Sequence, residues 1–154
     1  MKRIDAGQQA LRRGRSSLAG GYYLITTCIH DRQPLLREWV QARQVIHAMR
    51  HLHEERCVTS LSFVVMPDHL HWLIQLREGD ELAGVVRRFK GRSARSLNES
   101  LGHHGTIWQP GYHDRAIRGE RDLKQTARYI VANPLRAGLV QEIGQYPHWD
   151  AIWL

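Results

Sequence analysis

The sequence has little cysteine and no long apolar run. Only two of its 154 residues are cysteines, Cys28 and Cys57, and they lack the close spacing of a metal-binding pair. We expect both to be small buried side chains in a reduced protein. The longest apolar stretches fall well short of the roughly 20 residues that span a bilayer, and the N-terminus lacks the apolar segment of a signal peptide. These absences predict a cytoplasmic protein that does not enter membranes.

Acidic residues and lysine are scarce relative to arginine. The 22 basic residues outnumber the 15 acidic ones, which gives a formal net charge of +7, and only three of the 22 are lysines. Guanidinium groups bind phosphates through two hydrogen bonds and lose their water more cheaply than ammonium groups. An arginine-rich basic chain therefore favours a nucleic-acid partner. The same composition is also compatible with a basic protein whose charge only keeps it soluble.

The order of the predicted elements indicates one domain. Residues 1–20 are polar and basic, and we expect them to form a flexible arm that carries Arg12, Arg13 and Arg15. Residues 21–154 are expected to form a single domain, since a chain with 42% apolar residues can bury a core. Its apolar periodicity predicts strand, helix, hairpin, helix, strand and helix in that order. This order is typical of an α+β fold with a mostly antiparallel sheet and helices packed on it, close to the ferredoxin-like split β-α-β plan.

Two histidines stand one residue apart in the second half of the predicted hairpin, "FVVMPDHLHWLIQL" (63–76). On an extended strand His69 and His71 share one face, whereas Leu70 and Trp72 point to the other. Two imidazoles about 6–7 Å apart along a strand can converge on one metal ion. Structural or incidental histidines fit the same pattern, so this spacing alone leaves both interpretations open.

A tyrosine lies on the polar side of the last long predicted helix (120–133). Tyr129 is roughly 140° from the centre of the apolar stripe that contains Leu123 and Ala127, and Asn133 follows one turn later. Tyrosine is amphipathic and often lies at a surface, which is the simpler explanation. The chemical explanation is that a tyrosine hydroxyl beside a divalent ion attacks a phosphate and forms a covalent phosphotyrosine. Asn133 would then offer its amide oxygen to the same ion.

Four stretches of the chain resemble the REP-associated tyrosine transposases, a bacterial branch of the single-tyrosine HUH endonucleases. They are "MPDHLHWLIQL", "RRFKGRSARSLN", "IWQPGYHDRAIR" and "ARYIVANPLRAGLV", in the order and spacing of that family. HUH denotes histidine, hydrophobic residue, histidine, which is matched here by His69, Leu70 and His71. The resemblance runs from about Arg12 to the end of the chain, and "RYIVANPLRAGLV" is much more specific than the three-residue HUH match.

The resemblance implies a site and an activity. It assigns metal binding to His69, His71 and Asn133, with Mg²⁺ or Mn²⁺ as the ion, and it assigns the nucleophile to Tyr129. The implied reaction is cleavage and rejoining of single-stranded DNA beside hairpins formed by repetitive extragenic palindromes (REP), through a 5′-phosphotyrosine and a free 3′-hydroxyl. Insertion-sequence relatives act as dimers that share active sites, whereas the REP-associated branch implies a monomer.

Basic and aromatic residues outside this site are expected to contact DNA. One predicted helix carries five cations that suit the backbone of a hairpin, with a solvated charged face as the alternative: Arg87, Arg88, Lys90, Arg92 and Arg95. Three arginines nearer the site in sequence suit the scissile strand: Arg115, Arg118 and Arg136. Three ring side chains suit stacking on unpaired bases, although a core position explains the first of them equally well: Trp108, Tyr112 and His113.

Two other functions are compatible with these residues. The first is a regulatory DNA-hairpin-binding protein that keeps the fold but does not cut, although the presence of all four proposed site residues argues against lost chemistry. The second is a metal-dependent hydrolase in which water replaces Tyr129 as the nucleophile. A structural zinc site is disfavoured, because no set of four good ligands gathers in the sequence.

Overall fold

The protein folds as a five-stranded sheet with helices on both faces. A computed structural model describes residues 20–102 and 104–153. The strands are β1 (Tyr22–Cys28), β2 (Val58–Val65), β3 (His69–Leu76), β4 (His113–Ile117) and β5 (Trp149–Ala151). The α-helices of the described part are α1 (Trp39–Glu54), α2 (Leu82–Leu101), α3 (Glu120–Val131) and α4 (Asn133–Arg136). None of these helices is long and apolar enough to cross a membrane.

The predicted N-terminal arm lies outside the described residues, apart from residue 20. The three arginines of this arm that were predicted to contact DNA also lie outside the described residues: Arg12, Arg13 and Arg15.

The sheet is antiparallel throughout, in the order β4-β1-β3-β2-β5. Its first four strands follow the arrangement of the split β-α-β plan, and β5 extends the sheet along the outer edge of β2. This confirms the predicted α+β fold with an antiparallel sheet and packed helices.

The two faces of the sheet have separate cores. Helices α1 and α2 cover one face, where Leu70 and Trp72 are buried and the ring of Trp72 lies 5.6 Å from that of Phe89. Helix α3 covers the other face, where Ile130 packs in the same cluster as Leu73. Because side chains alternate along β3, its two histidines share the face of Leu73. The predicted separation of the histidines from the main core is confirmed.

Strand β2 departs from simple alternation. Strict alternation places Leu61 on the same face as Phe63 and Val65, but the pairing with β3 shifts between Ser60 and Ser62. The extra residue of this β-bulge sends Leu61 into the core under α3, while Phe63 and Val65 belong to the core under α1 and α2. Nothing in the local sequence marks the bulge.

The last predicted helix is two helices. Residues 120–133 were expected to be continuous, but α3 ends at Val131 and α4 begins at Asn133. Pro134 has no N–H to donate to the carbonyl of Ile130, and its ring crowds that carbonyl. The hydrogen-bond ladder is therefore interrupted just after Tyr129, and Tyr129 and Asn133 lie on separate helices.

Adjacent residues of α3 give a matched test of this packing. Ile130 is fully buried, whereas Tyr129 is 60% exposed. We expect Ile130→Ala to lower the free energy of unfolding by about 2–5 kcal/mol and Tyr129→Phe to change it by less than about 0.5 kcal/mol, measured by urea denaturation. Equal losses of unfolding free energy in the two variants would contradict the assignment of Ile130 to the buried face of α3 and of Tyr129 to its exposed face.

Candidate active site

The two histidines of β3 are oriented by hydrogen bonds. Their ring centroids lie 4.9 Å apart, and the rings are nearly perpendicular, at 84°. Nδ1 of His71 lies 2.8 Å from the hydroxyl oxygen of Thr26, and Nδ1 of His69 lies 2.7 Å from a carboxylate oxygen of Asp68. Each ring therefore keeps Nε2 for a ligand. Metal-binding histidines are commonly oriented in this way by partners on their other nitrogen.

The turn between β2 and β3 supplies the partner of His69. Besides His69, Asp68 accepts a hydrogen bond from Nε of Arg32, at 3.0 Å. Burial alone raises the pKa of Asp68, but the hydrogen bonds and charges of His69 and Arg32 outweigh burial and hold that pKa below its usual value. An ionised carboxylate only accepts hydrogen bonds, so Nδ1 of His69 must donate to it.

Arg32 reaches Asp68 from a turn with an unusual backbone. Asp31 and Arg32 have φ angles of 56° and 53°, a left-handed conformation that costs a residue other than glycine roughly 1–2 kcal/mol. The guanidinium of Arg32 also contacts Sγ of Cys28 at 2.9 Å. Both cysteines are free thiols, but only Cys57 is buried. The expectation that both are buried is wrong for Cys28, because its sulfur is half-exposed and bonded to Arg32.

His71 is neutral at neutral pH. Its burial is the main cause that lowers its pKa, to about 4, and electrostatic interactions with His69, Arg136 and Arg32 act in the same direction. A neutral imidazole keeps the nitrogen lone pair that a metal ion requires. This charge state and the hydrogen bond to Thr26 both suit a ligand at Nε2.

Tyr129 stands on the exposed side of α3, as predicted, with 60% of the residue accessible to solvent. From α4, the guanidinium carbon of Arg136 lies 3.8 Å from the centroid of the tyrosine ring. The charge of Arg136 also acts on His71. The structure therefore brings the histidine pair, Tyr129 and Arg136 to one side of the sheet.

Tyr129 lines a groove between β4 and α3. The groove is lined mainly by polar side chains: Arg115, Arg118, Asp122, Gln125, Thr126 and Tyr129. Strand β4 forms the outer edge of the sheet here. Two of the three arginines predicted to hold the scissile strand thus flank the predicted nucleophile, and the third stacks on it.

Asn133, the third predicted metal ligand, is the half-buried first residue of α4. Within residues 20–102 and 104–153, no group of three or more His, Cys, Asp or Glu side chains is placed to hold a metal ion. A metal ion at the histidine pair would therefore need oxygen ligands of another kind, such as an amide, water or a phosphate. The role of Asn133 as such a ligand stays a prediction.

His113 lies on the same face of the sheet as the histidine pair. The strand register aligns it with Thr26, and Thr26 with His71, in one row across β4, β1 and β3. The residue is exposed, and its predicted contact with DNA stays a prediction.

Trp108 and Tyr112 lie in the core, with exposures of 5% and 9%. Nε1 of Trp108 donates a hydrogen bond to Ser93 at 2.9 Å, and its ring lies 5.5 Å from that of Phe89. The structure favours the packing explanation of Trp108, because its ring and indole N–H already have partners. The burial of Tyr112 argues against its predicted stacking on bases.

The five predicted cations of α2 do not form one cluster. Arg92 and Arg95 line a groove on the α1 side of the helix, while Arg87 and Lys90 line a groove beside the loop that precedes β4. Three of the arginines form ion pairs with carboxylates of this chain: Arg88 with Asp80, Arg92 with Glu55 and Arg95 with Glu99. Lys90 donates to the backbone carbonyls of Gln109 and Gly111. These contacts leave α2 less cationic than its sequence indicates.

Sequence reasoning missed the residues that orient the histidines. Thr26 lies 45 positions from His71, so only the pairing of β1 with β3 reveals the contact. Arg32 lies 36 positions from Asp68 and was equally hidden. Asp68 directly precedes the histidine pair, and a carboxylate at that position is a signal in the sequence for a histidine partner.

The chain belongs to the IS200-like transposase family, whose sequence pattern matches residues 17–133. The REP-associated tyrosine transposase of Escherichia coli (strain K12) is 28% identical over 134 residues, which cover 86% of this chain and 78% of that protein. A putative REP-associated tyrosine transposase of Haemophilus influenzae is 26% identical over 149 residues, which cover 87% of this chain and 81% of that protein.

Two solved structures are similar to this fold. A REP-associated tyrosine transposase bound to a REP hairpin has a TM-score of 0.71 and 28% identity, covering 86% of this chain and 77% of that chain. A putative transposase from Deinococcus radiodurans R1 has a TM-score of 0.55 and 23% identity, covering 71% of this chain and 87% of that chain, and shares the fold. The predicted resemblance to REP-associated tyrosine transposases is confirmed.

The charge state of His71 can be tested by an NMR titration of its ring, assigned by loss of the signal in His71→Ala. With chelator present, we expect no protonation of the folded protein between about pH 7.5 and 5.5, because the pKa is lowered to about 4. In urea the same ring should titrate near pH 6.5. Because only the unfolded chain binds this proton, His71 destabilises the fold as the pH falls from about 6.5 towards 4. A titration midpoint near pH 6.5 in the folded protein would refute the lowered pKa of His71.

Proposed function

We propose that the protein cuts and rejoins single-stranded DNA beside REP-type hairpins through a covalent bond between Tyr129 and a 5′-phosphate. The observation that carries this proposal is an exposed tyrosine on the same side of the sheet as two histidines whose Nδ1 atoms are already hydrogen-bonded. The hairpin bound by the solved REP-associated relative supports the choice of substrate.

In the proposed reaction the phenol oxygen of Tyr129 attacks the scissile phosphorus. The bond from phosphorus to the 3′-oxygen breaks, the phenol loses its proton, and the products are a 5′-phosphotyrosine and a free 3′-hydroxyl. Attack by a 3′-hydroxyl reverses the step and rejoins DNA. A tyrosine ester keeps the energy of the phosphodiester for rejoining, whereas attack by water loses it.

The residues that would hold a divalent ion are His69 and His71, through Nε2, and Asn133, through its amide oxygen. When bound, such an ion stabilises the negative charge that develops on the phosphate oxygens. Imidazole nitrogens favour Mn²⁺ over Mg²⁺, which prefers oxygen ligands. The protein contributes the neutral His71 and the fixed orientation of both rings.

Basic residues around Tyr129 would hold the DNA strand. Arg115 and Arg118 share the groove that contains Tyr129, and guanidinium groups bind phosphates through two hydrogen bonds. His113 at the rim of the site and Arg87 on the exposed side of α2 would extend the contact. The net charge of +7 raises the rate of encounter with DNA at low salt.

The first test is a search for the covalent product. The protein is incubated with single-stranded hairpins from palindromes beside its own gene, labelled at the 3′ end because that fragment stays on the tyrosine, with Mg²⁺ or Mn²⁺, and run on a denaturing protein gel. Wild type and Tyr22→Phe should give a labelled band, because Tyr22 lies at the other end of β1 from the row of His71. Tyr129→Phe should give none, and His69→Ala/His71→Ala should reduce the band by at least about 100-fold.

The other outcomes separate the competing functions. Cleavage that survives Tyr129→Phe without a covalent band would make water the nucleophile and the protein a hydrolase. Tight hairpin binding with no cleavage on any flanking palindrome would favour a DNA-binding protein that has lost the reaction.

Two adjacent threonines test the proposed metal ligands. Thr26→Val removes the hydroxyl that holds Nδ1 of His71, and we expect it to weaken Mn²⁺ binding by about 10- to 100-fold, measured by EPR titration. Thr27→Val is the matched control, because Oγ1 of Thr27 is buried with no hydrogen-bond partner in the described part of the chain. Equal Mn²⁺ affinity in the two variants would contradict the role of Thr26 and weaken that of His71.

A further inference from the structure

Arg136 stacks on the ring of Tyr129 although both residues are exposed. The distance of 3.8 Å from the guanidinium carbon to the ring centroid is well within the roughly 6 Å range of a cation–π contact. Within residues 20–102 and 104–153 no carboxylate forms an ion pair with Arg136. Within the described residues, no carboxylate therefore competes with the ring of Tyr129 for this guanidinium.

The contact joins residues on either side of the break between α3 and α4. Tyr129 and Arg136 are seven residues apart, and in one continuous helix such residues share a face but lie about 10.5 Å apart along the axis. Pro134 interrupts the ladder between them, and Arg136 ends the separate helix α4. The chain thus folds a planar cation back onto an exposed aromatic ring.

An exposed tyrosine by itself is poorly placed for attack. Its two side-chain torsions allow several rotamers, and few of them hold the phenol oxygen in line with a phosphate. A reacting group displaced by about 1 Å can lose about 100-fold in rate. A planar group stacked on the ring restricts these torsions.

We propose that Arg136 is a positioning residue that holds the ring of Tyr129 in the orientation for attack on phosphorus. The proposal rests on the proposed role of Tyr129 as nucleophile, and it replaces the expectation that Arg136 serves chiefly to grip the scissile strand. The effect of the Arg136 charge on His71 supports it, because the same guanidinium then lies near both parts of the site. Arginine suits this role better than lysine, since its planar group stacks on aromatic faces.

The test compares Arg136→Met and Arg136→Lys with Arg128→Met, a matched exposed arginine on α3. Single-turnover formation of the covalent product is measured at saturating hairpin, and hairpin affinity is measured separately. We expect Arg136→Met to slow product formation by about 2- to 5-fold, the range that one exposed cation–π contact supplies, with Arg136→Lys between it and wild type. Hairpin affinity and its salt dependence should match those of Arg128→Met.

A second measurement reports on the ring itself. In protein labelled with 3-fluorotyrosine, the ¹⁹F signal of Tyr129 is identified by its loss in Tyr129→Phe. We expect this signal to shift in Arg136→Met and to stay in place in Arg128→Met, because only the former removes the cation from the ring. Thermal melting of each variant shows that the fold is intact.

Three results would overturn the proposal. A wild-type rate at saturation in Arg136→Met, with weaker binding and a salt slope reduced by about one, would make Arg136 a phosphate contact and leave Tyr129 as the nucleophile. An unchanged ¹⁹F signal in that variant would show that the stacking does not hold the ring in solution. A wild-type protein that forms no product at Tyr129 with any flanking hairpin would remove the proposed function and this inference together.

Discussion

The register between β1 and β3 is the constraint on which the site depends. It places Thr26 beside His71 and Cys28 beside His69, on the face opposite the larger core. A slip of one residue would turn every side chain of β3 to the other face, exposing Leu70 and Trp72 and burying both histidines. The hydrophobic cost of that slip fixes the histidines, so the same packing that stabilises the sheet also orients the site.

The histidine pair and the exposed tyrosine were predictable because both follow from local periodicity. Alternation with period two separates His69 and His71 from Leu70, and helical spacing separates Tyr129 from its apolar neighbours. The groups that orient the histidines were not predictable in this way. The contact between Thr26 and His71 spans 45 residues and depends on how β1 pairs with β3, which no local pattern encodes.

The net charge favours a nucleic-acid partner but does not show where the charge is available. Arg88, Arg92 and Arg95 stand close together in sequence, yet carboxylates of the same protein pair with each of them. Arg115 and Arg118, in β4 and the loop after it, have no such ion pair among the described residues and line the groove of Tyr129. Composition counts charges, whereas binding depends on which of them the fold leaves without a carboxylate.

The two parts of the site are held by forces of different strength. The histidines are part of a buried sheet, and moving them would disrupt its pairing. The ring of Tyr129 is held by one exposed cation–π contact worth about 0.5–1 kcal/mol, which is close to thermal energy. A proposed nucleophile that forms and then breaks a bond to DNA must move relative to fixed ligands. A weak contact from a separate short helix biases the ring towards one orientation and still lets it follow the phosphate, without any cost to the fold.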